Sequence, residues 1–338
     1  MNFVTKGRKS LLVTSLCCAF ATIANAQEIQ DVTFVIPNPS AINILPVTIA
    51  IGEGYFKDEG LGVTVEALNG SGSVLQALAA GQGQIGHPGA GPFLSARSQG
   101  LDVKFLYRLN PNSSYGMVVQ ADSDVQTPSD LTGDVIGIGT ADGAEAAFAR
   151  SIFTDEGMVE GIDYSFLVVG DGGLAAAGFI RNDIDAYVAA TSDAAILNSR
   201  GVALRNITPD KFRVFFGNGF AAMTDWIETN PTTVEAFGRA VARGSRFAAD
   251  PANMETMIDH VSLVNPQEGE DREFSRALIE QIIIRQTPFD PEKGYGYQDA
   301  EAWKAWQDSL VASGELAAPV DDLEAVYTND FVEAWNAE

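Results

Sequence analysis

A unit of strand, glycine-rich polar loop and helix recurs along this chain. In its first copy, Val63, Val65 and Ala67 alternate as in a half-buried strand, residues 70–73 read Gly-Ser-Gly-Ser, and apolar residues at helical spacing follow until Gly81. The same order returns at residues 135–153 and again at residues 166–179. Helices that begin in such loops offer unpaired backbone N–H groups to whatever lies in front of them.

Strands and helices that alternate in this way predict an α/β fold, with helices packed on the faces of the sheets. Ligands of such sheets bind outside the carboxyl ends of the strands, where these loops lie. None of the glycine loops carries the lysine of a nucleotide-binding P-loop. The pattern therefore favours a binding fold, and we predict no catalytic residues and no cofactor.

Residues 1–26 have the features of a secretory signal peptide. Basic residues between Lys6 and Lys9 precede an apolar run over 10–23, and Ala24 and Ala26 supply the small side chains of a cleavage site. The run is shorter than the roughly 20 residues of a membrane span. We therefore predict export to the periplasm with cleavage after Ala26.

The alternative to cleavage at Ala26 is a lipid anchor on Cys17 or Cys18. Small residues are expected just before such a cysteine, whereas Leu16 precedes Cys17 here. Cleavage after Ala26 would remove both cysteines of the chain. A mature chain without cysteine has no disulfide, no thiolate nucleophile and no cysteine-ligated metal.

The chain is strongly acidic, with 45 Asp and Glu against 21 Lys and Arg, for a formal charge of −24. Loss of three basic residues with the leader would make this −27. Such a charge disfavours binding to nucleic acid and to anionic lipid. It favours a protein that stays soluble in an exposed or salty compartment.

Four patterns follow one another along the chain. They are residues 50–65 with Gly54-Tyr55-Phe56 and Glu59-Gly60-Leu61, followed by the Gly-Ser loop, Gln76-Ala77-Leu78 and Gly81; then Asp130-Leu131-Thr132-Gly133; then Asp185-Ala186; and the tail with Pro319-Val320-Asp321 and residues 326–331. In these motifs the mature chain resembles the periplasmic solute-binding proteins of ABC importers, in the family that includes nitrate, sulfonate and thiamine-precursor binders. The resemblance covers nearly all of the mature chain.

The resemblance implies two lobes of a type II-like binding protein, joined by two crossover segments, with a ligand enclosed between them. We place the crossings at residues 115–121 and 219–225. Lobe 1 then comprises 27–118 and 222–338, and lobe 2 comprises 119–221. The implied partners are a small solute and an inner-membrane ABC permease with its cytoplasmic ATPase, and the protein is expected to be a monomer that binds no nucleic acid.

The candidate ligand-binding residues lie in loops that follow strands. Residues 37–40 form a proline-fixed polar loop, Ser71 and its neighbours match the family's contact loop in lobe 1, and Thr140 begins the matching loop of lobe 2. Ordinary helix capping is the alternative role for Ser71 and Thr140. The full set is Asn38, Ser40, Ser71, Gly72, Ser73, His87, Tyr115, Thr140, Ala141, Asp142, Gly143, Asp171, Tyr187 and Asp193.

Acidic residues in these loops argue against a simple anion as the ligand. Asp142 and Glu145 are spaced for a reciprocal helix cap, but carboxylates that faced the cleft would repel nitrate or a sulfonate. Asp171 and Asp193 lie at comparable turns. The candidate loops contain no Lys or Arg, with Arg108 nearby as the main exception. These features favour a ligand with an amine, an amidine or several hydrogen-bond donors.

His87 is isolated from other metal-ligand residues in the sequence, so no metal site is predicted. It either hydrogen-bonds a ligand or serves as a polar turn residue. Tyr115 and Tyr187 either form walls of a ligand site or belong to the core.

The sequence thus predicts a periplasmic receptor, not an enzyme, that captures an amino-substituted heterocycle such as a thiamine-precursor-like pyrimidine, or another hydrogen-bonding organic solute. An anion receptor of the same family is one alternative. An enzyme similar to the pyrimidine synthases of thiamine biosynthesis is another, although their cysteine-rich motif would be absent from the mature chain. A periplasmic sensor module is the third.

Overall fold

Two separate five-stranded sheets form the framework of the protein. The computed structural model describes residues 1–3, 29–113, 115–212, 215–288 and 290–337. Most of the expected signal peptide, with Cys17 and Cys18, lies outside these residues. In chain order the strands are β1 (Gln30–Ile36), β2 (Leu61–Ala67), β3 (Ile85–Gly86), β4 (Val103–Tyr107), β5 (Tyr115–Gln120), β6 (Val135–Ile138), β7 (Ser165–Val168), β8 (Ala186–Ala190), β9 (Leu204–Asn206) and β10 (Phe220–Met223).

Each sheet is mixed, with one strand inserted antiparallel to its neighbours. The first sheet has the order β2-β1-β3-β10-β4, in which β1 runs parallel to β2 and β3 while β10 runs antiparallel to β3 and β4. The second has the order β7-β6-β8-β5-β9, in which β6 is parallel to β7 and β8 while β5 is antiparallel to β8 and β9. The inserted strands β10 and β5 are the ones that follow each passage between the sheets.

Helices connect the strands and cover the sheets. They are α1 (Leu45–Gly52), α2 (Tyr55–Asp58), α3 (Gly70–Ala79), α4 (Ala90–Ser98), α5 (Ala144–Asp155), α6 (Gly173–Ile180), α7 (Thr191–Ser199), α8 (Thr224–Thr229), α9 (Pro231–Ala248), α10 (Met254–Val264), α11 (Pro266–Glu270), α12 (Arg272–Gln286), α13 (Ala300–Ala312) and α14 (Val332–Asn336). Short 3₁₀ turns occupy Pro128–Leu131, Asp210–Phe212, Pro251–Asn253 and Glu324–Val326. None of the helices in the described ranges is long and apolar enough to cross a membrane.

The strand pairing places both boundaries between the lobes earlier in the chain than the boundaries expected from the sequence. The expected boundaries after residues 118 and 221 fall inside β5 and β10, yet β5 pairs only within the second sheet and β10 only within the first. The chain therefore changes sheet between β4 and β5 and again between β9 and β10. Below, lobe 1 is the part built on the first sheet and lobe 2 the part built on the second.

The two lobes meet through one buried cluster. Phe93 of α4, Phe148 of α5 and Trp306 of α13 are each at most 1% exposed and belong to the same apolar core. The indole N–H of Trp306 donates to the backbone carbonyl of Phe216, 3.0 Å away in the second connection between the sheets. This contact holds the lobes together on one side of the cleft and leaves the carboxyl ends of the strands facing each other across it.

Candidate functional site

A pocket lies between the two lobes, at the carboxyl ends of the strands. It retains a cavity of about 70 Å³ that water-sized molecules can occupy. Lobe 1 lines it with residues of the loop after β1, of the first turn of α3 and of the turn after β3, and lobe 2 lines it with residues of the loops after β6, β7 and β8. The lining residues are Ile36, Pro37, Asn38, Ser40, Asn43, Ile44, Gly70, Ser71, His87, Asn110, Tyr115, Thr140, Gly143, Glu145, Asp171, Tyr187, Val188, Ala190, Asp193, Asn218 and Ile282.

The loop after β1 is held in place by hydrogen bonds from both ends. Asn38 Oδ1 accepts from the Ser40 N–H at 3.2 Å, and Ser40 Oγ accepts from the Asn43 N–H at 3.2 Å. From the C-terminal helices, Glu268 Oε2 accepts from the N–H groups of Ala41 and Ile42 at 2.7 and 3.1 Å. The polar side chains of this loop are thus partly engaged in fixing its shape, and the loop forms a firm wall of the pocket.

Ser71 fixes the turn after β3 and does not cap its helix. Its Oγ accepts from the backbone N–H of Gly89 at 3.1 Å, and its side chain is buried. Asn69 occupies the N-cap position of α3, and no side chain caps the helix there. Local spacing suggested the cap, but folding brings Gly89 close enough to use the Ser71 hydroxyl.

His87 is a neutral, buried side chain on the lobe 1 wall. Its ring lies 6.2 Å from that of Phe34 and 5.8 Å from that of Phe220, measured between centroids. This burial lowers the pKa of His87 to about 3, so the ring carries no charge at neutral pH. Its Nε2 atom is buried without a hydrogen-bond partner among the described residues. A neutral ring nitrogen without a partner can donate or accept one hydrogen bond, and His87 lines the pocket.

On the lobe 2 wall, Glu145 turns back over the start of its own helix. Its Oε1 accepts from the backbone N–H of Thr140 at 2.8 Å and from the Thr140 hydroxyl at 3.3 Å. Burial raises the pKa of Glu145 to about 7, and the hydrogen bonds from its own backbone and from Thr140 only partly oppose this. The expected reciprocal cap with Asp142 is therefore replaced by a contact with Thr140.

Two further carboxylates complete the lobe 2 wall. Asp193 is 7% exposed and accepts from the N–H groups of Gly172 and Ala190 at 3.0 and 3.1 Å. Burial first and the charge of Asp171 second raise the pKa of Asp193. Asp171 stands at the exposed edge of the pocket, where the surrounding atoms still exclude enough water to raise the pKa of its carboxyl. The hydroxyl of buried Tyr187 lies 3.5 Å from Asp193 Oδ2.

The two connections between the lobes each add an asparagine to the pocket. The Tyr115 hydroxyl donates to Asn218 Oδ1 at 2.5 Å, and Asn218 Nδ2 donates to the backbone carbonyl of His87 at 3.2 Å. Asn110 Oδ1 is buried without a partner among the described residues. The connections thus contribute an unused acceptor, and they link the wall of lobe 1 to that of lobe 2.

In the part of the chain that the structure describes, no Lys or Arg lines this pocket. Arg108, the exception noted in the sequence, lines a separate cavity and packs over the ring of Phe216. Arg285 of α12 donates to the carbonyl of Ser113, next to the pocket, and burial lowers its pKa to about 10. The pocket is therefore lined by carboxyl groups together with hydroxyl and amide groups that can donate or accept, and Arg285 lies behind its wall.

This arrangement suits the binding of a small ligand. Within the described ranges, no three or more His, Cys, Asp or Glu residues form a group that could hold a metal ion. The free Asn110 Oδ1 atom and the three carboxyl groups can bind a ligand through its N–H and O–H groups, and the carboxylates can also bind a positive charge.

Ten of the fourteen residues predicted from the sequence line the pocket, and their contact with a ligand stays a prediction. These ten are Asn38, Ser40, Ser71, His87, Tyr115, Thr140, Gly143, Asp171, Tyr187 and Asp193. Gly72, Ala141 and Asp142 lie instead on an outer groove between the lobes. Ser73 donates its hydroxyl to the carbonyl of Asn69 on the surface.

The sequence prediction omitted Glu145, Asn110 and Asn218 from the site. Glu145 was assigned to a helix cap, although its place directly after the loop of Thr140 was a usable signal. The asparagines lie in connections that carried no motif, and only the three-dimensional fold brings them to the pocket.

The comparisons with known proteins agree with this fold. The family model described as NMT1/THI5 like matches residues 41–254. The riboflavin-binding protein RibY of Chloroflexus aurantiacus is 27% identical over 321 residues, which cover 92% of this chain and 89% of that protein.

Solved structures of two binding proteins have the same fold. The alkanesulfonate-binding protein SsuA of Xanthomonas axonopodis pv. citri, bound to MOPS, superposes with a TM-score of 0.69 at 17% identity, covering 90% of this chain and 100% of that one. The periplasmic nitrate-binding protein NrtA of Synechocystis PCC 6803 gives 0.67 at 19% identity, covering 92% and 89%.

Proposed function

The chain belongs to the NMT1/THI5-like family, and we propose that it is the periplasmic solute-binding receptor of an ABC importer for a small organic solute rich in hydrogen-bond donors or positively charged. The fold is that of periplasmic binding proteins, and we infer export by the leader at residues 1–26. An amino-substituted heterocycle, such as a thiamine-precursor-like pyrimidine, meets this description.

The observation that carries the proposal is the charge of the pocket. Glu145, Asp171 and Asp193 line it together, and no Lys or Arg among the residues that the structure describes does so. A carboxylate buried beside other carboxylates is stabilised by a ligand that donates hydrogen bonds to it or carries a positive charge. Nitrate or an alkanesulfonate would require these carboxyls to stay protonated, whereas a cationic or donor-rich ligand pairs with their ionised forms, so the anion-receptor alternative is disfavoured.

The size of the cavity bears on the size of the ligand and not on its charge. Pockets that enclose drug-sized ligands measure about 300–1,000 Å³. The present cavity of about 70 Å³ suits a much smaller group in this arrangement of the lobes. A ligand as large as riboflavin would require the lobes to open further, so riboflavin is a comparison compound for the test.

A melting-shift screen of residues 27–338 tests the proposal. The panel contains an aminopyrimidine, an alkyl amidine, riboflavin, nitrate and ethanesulfonate. We expect the aminopyrimidine or the amidine to raise the melting temperature most, with affinity confirmed by calorimetry. Submicromolar affinity for ethanesulfonate would contradict the proposed ligand class.

The same sample separates a receptor from an enzyme. We expect the bound compound to be recovered unchanged by mass spectrometry after prolonged incubation with stoichiometric protein. Accumulation of a product would contradict the receptor role. Stimulation of a permease–ATPase complex by the loaded protein would distinguish transport from sensing.

A further inference from the structure

A second, smaller cavity lies where the chain leaves the first sheet. It is lined by the end of β4, by α9 and by the segment that follows α12. None of its described lining residues also lines the ligand pocket. The cavity has about 20 Å³ that water-sized molecules can occupy, which is room for one such particle.

Two buried hydrogen-bond donors on this cavity lack a partner. Tyr107 Oη and Arg108 Nε are buried atoms with no hydrogen-bond partner among the described residues, and the two residues are 2% and 8% exposed. Burial raises the pKa of Tyr107 by more than the nearby Ser245 hydroxyl lowers it, so the phenol keeps its proton. Ser245 itself donates to the carbonyl of Val241 at 3.2 Å. A guanidinium Nε–H can only donate, so the free groups call for an acceptor.

The charge of Arg108 has no counter-ion in direct contact within the residues that the structure describes. Burial lowers its pKa, and the charges of Asp299 and Tyr297 only partly oppose this from a distance. Asp290 also lines the cavity, but its exposed carboxylate accepts from the Glu292 N–H at 3.1 Å. A buried charge without a partner is costly, so an anion within reach of it would stabilise the fold.

The segment after α12 holds the two donors in place. The Arg108 N–H donates to the carbonyl of Gly296 at 3.2 Å. Gly296 has a φ of 85°, and a Cβ atom at this position would lie 2.7 Å from Tyr107 Cδ2. Glycine permits both the left-handed conformation and the close approach. The backbone of this segment therefore packs directly against Tyr107 and forms a fixed wall of the cavity.

We propose that this cavity binds one chloride ion, which accepts hydrogen bonds from the Tyr107 hydroxyl and from Arg108 Nε–H and compensates the buried guanidinium. A water molecule could accept the same hydrogen bonds, but it would leave the charge uncompensated. The size of the cavity suits a monatomic anion and excludes a large one such as gluconate. The inference is independent of the proposed function, because the cavity is separate from the ligand pocket and the tests use unliganded protein.

Thermal unfolding in mixtures of sodium chloride and sodium gluconate tests the site. The ionic strength is kept constant, because any salt screens the self-repulsion of a chain with a formal charge of −24. We expect the melting temperature to rise as chloride replaces gluconate, and to keep rising with the logarithm of the chloride concentration above the dissociation constant. Equal melting temperatures in the two salts would overturn the inference.

Tyr107→Phe removes one donor and keeps the ring contacts with Phe220 and Trp335, whose centroids lie 5.1 and 5.2 Å away. A hydrogen bond to a charged group contributes about 1.5–3 kcal/mol, so the variant should need at least about tenfold more chloride for the same shift. Tyr164→Phe is the matched control, since Tyr164 is a buried tyrosine of lobe 2 that packs on Phe153. It should respond to chloride as the wild type does.

Arg108→Met removes the charge that the ion compensates. We expect no response to chloride in this variant. In gluconate it should melt at or above the wild-type temperature, because an apolar side chain of similar volume often replaces a buried charge without loss. A merely structural role for Arg108 predicts instead an equal loss of stability in both salts, and that result would contradict the proposal.

Crystals grown in sodium bromide locate the ion directly. We expect an anomalous peak in the cavity, within hydrogen-bonding distance of Tyr107 Oη and Arg108 Nε. A water molecule alone at this position would overturn the inference, and so would a chloride response retained in both Tyr107→Phe and Arg108→Met. If Arg108→Met fails to fold, the tyrosine pair and the bromide data still decide.

Discussion

The two walls of the pocket differ in charge. The lobe 1 wall presents neutral groups, among them Ser71, Asn38 and the uncharged ring of His87. The lobe 2 wall presents Glu145, Asp171 and Asp193, and burial raises the pKa of all three. The difference suggests that the lobes contribute differently to ligand binding. Lobe 1 sets the shape and hydrogen bonding of the site, and lobe 2 selects the charge of the ligand.

The difference in charge between the walls also affects the closure of the two lobes over a ligand. An empty pocket holds Glu145 and Asp193 in poor contact with water beside Asp171, which favours the protonated forms of the two buried carboxyls. A donor-rich or cationic ligand compensates them, and so it stabilises the closed state by differential contacts. The charge of lobe 2 would therefore make closure depend on the right ligand.

The largest effect is expected from Asp193→Asn. The substitution keeps the size of the side chain but removes the most buried carboxylate of the lobe 2 wall. Loss of one partner of a buried charged contact costs about 2–5 kcal/mol, so the affinity for the best ligand of the screen should fall by about 30- to 4,000-fold. Calorimetry at pH 8 measures this fall.

Asp122→Asn is the matched control for Asp193→Asn, since it removes an exposed carboxylate away from the pocket. Its affinity should equal that of the wild type. If Asp193→Asn also bound with unchanged affinity, charge selection by lobe 2 would be wrong.

A smaller loss is expected from His87→Phe on the opposite wall. Phenylalanine keeps the ring contacts with Phe34 and Phe220 but removes Nε2, the unpartnered polar atom. A ligand group left without its partner costs about 1–3 kcal/mol, or roughly 5- to 150-fold in affinity. Because the pKa of His87 is about 3, this loss should be the same at pH 5 and pH 8.

The other histidine provides the control for His87→Phe. His260 lies away from the pocket, with Nε2 2.7 Å from Glu53 Oε1. His260→Gln should leave affinity unchanged. A loss in His87→Phe that varied with pH between 5 and 8 would contradict a neutral role for this ring.

Sequence reasoning predicted the framework well because it depends on local periodicity. Alternating residues at 63–67 form β2, and the glycine loop after them begins α3. The apolar run at 45–52 carried no period and forms helix α1, since a short apolar run fits a helix or a strand equally well.

The candidate site was less predictable because it depends on contacts between distant residues. Asp142 and Glu145 have the spacing of a reciprocal cap, but Asp142 reaches lobe 1 and Glu145 reaches Thr140. The bond between Tyr115 and Asn218 joins residues 103 positions apart. Spacing along one helix contains no information about such contacts.

The smallest expected effect is a pH dependence of the stability of the unliganded protein. It arises from a titrating carboxyl of the lobe 2 wall, whereas His87 of the lobe 1 wall stays neutral over the same range. The pKa of Glu145 is raised to about 7 in the folded state from an ordinary value near 4.5. Between these values the unfolded chain has lost this proton and the folded protein retains it, so stability falls as pH rises from about 4.5 to 7 and then levels off.

Glu145→Gln isolates this contribution, because glutamine does not titrate and its carbonyl can still accept from the Thr140 N–H. One pKa unit corresponds to about 1.4 kcal/mol, and partial exposure reduces the effect, so we expect about 1–3 kcal/mol in favour of the variant at pH 8 relative to pH 5. Denaturant melts at both values measure it. Asp130→Asn is the control: hydrogen bonds from Gln126 and Thr127 lower the pKa of Asp130, so its difference from wild type should be flat over this range. An equally flat difference for Glu145→Gln would mean that this carboxylate is ionised in the empty pocket. Binding of a cationic ligand would then release no proton from Glu145.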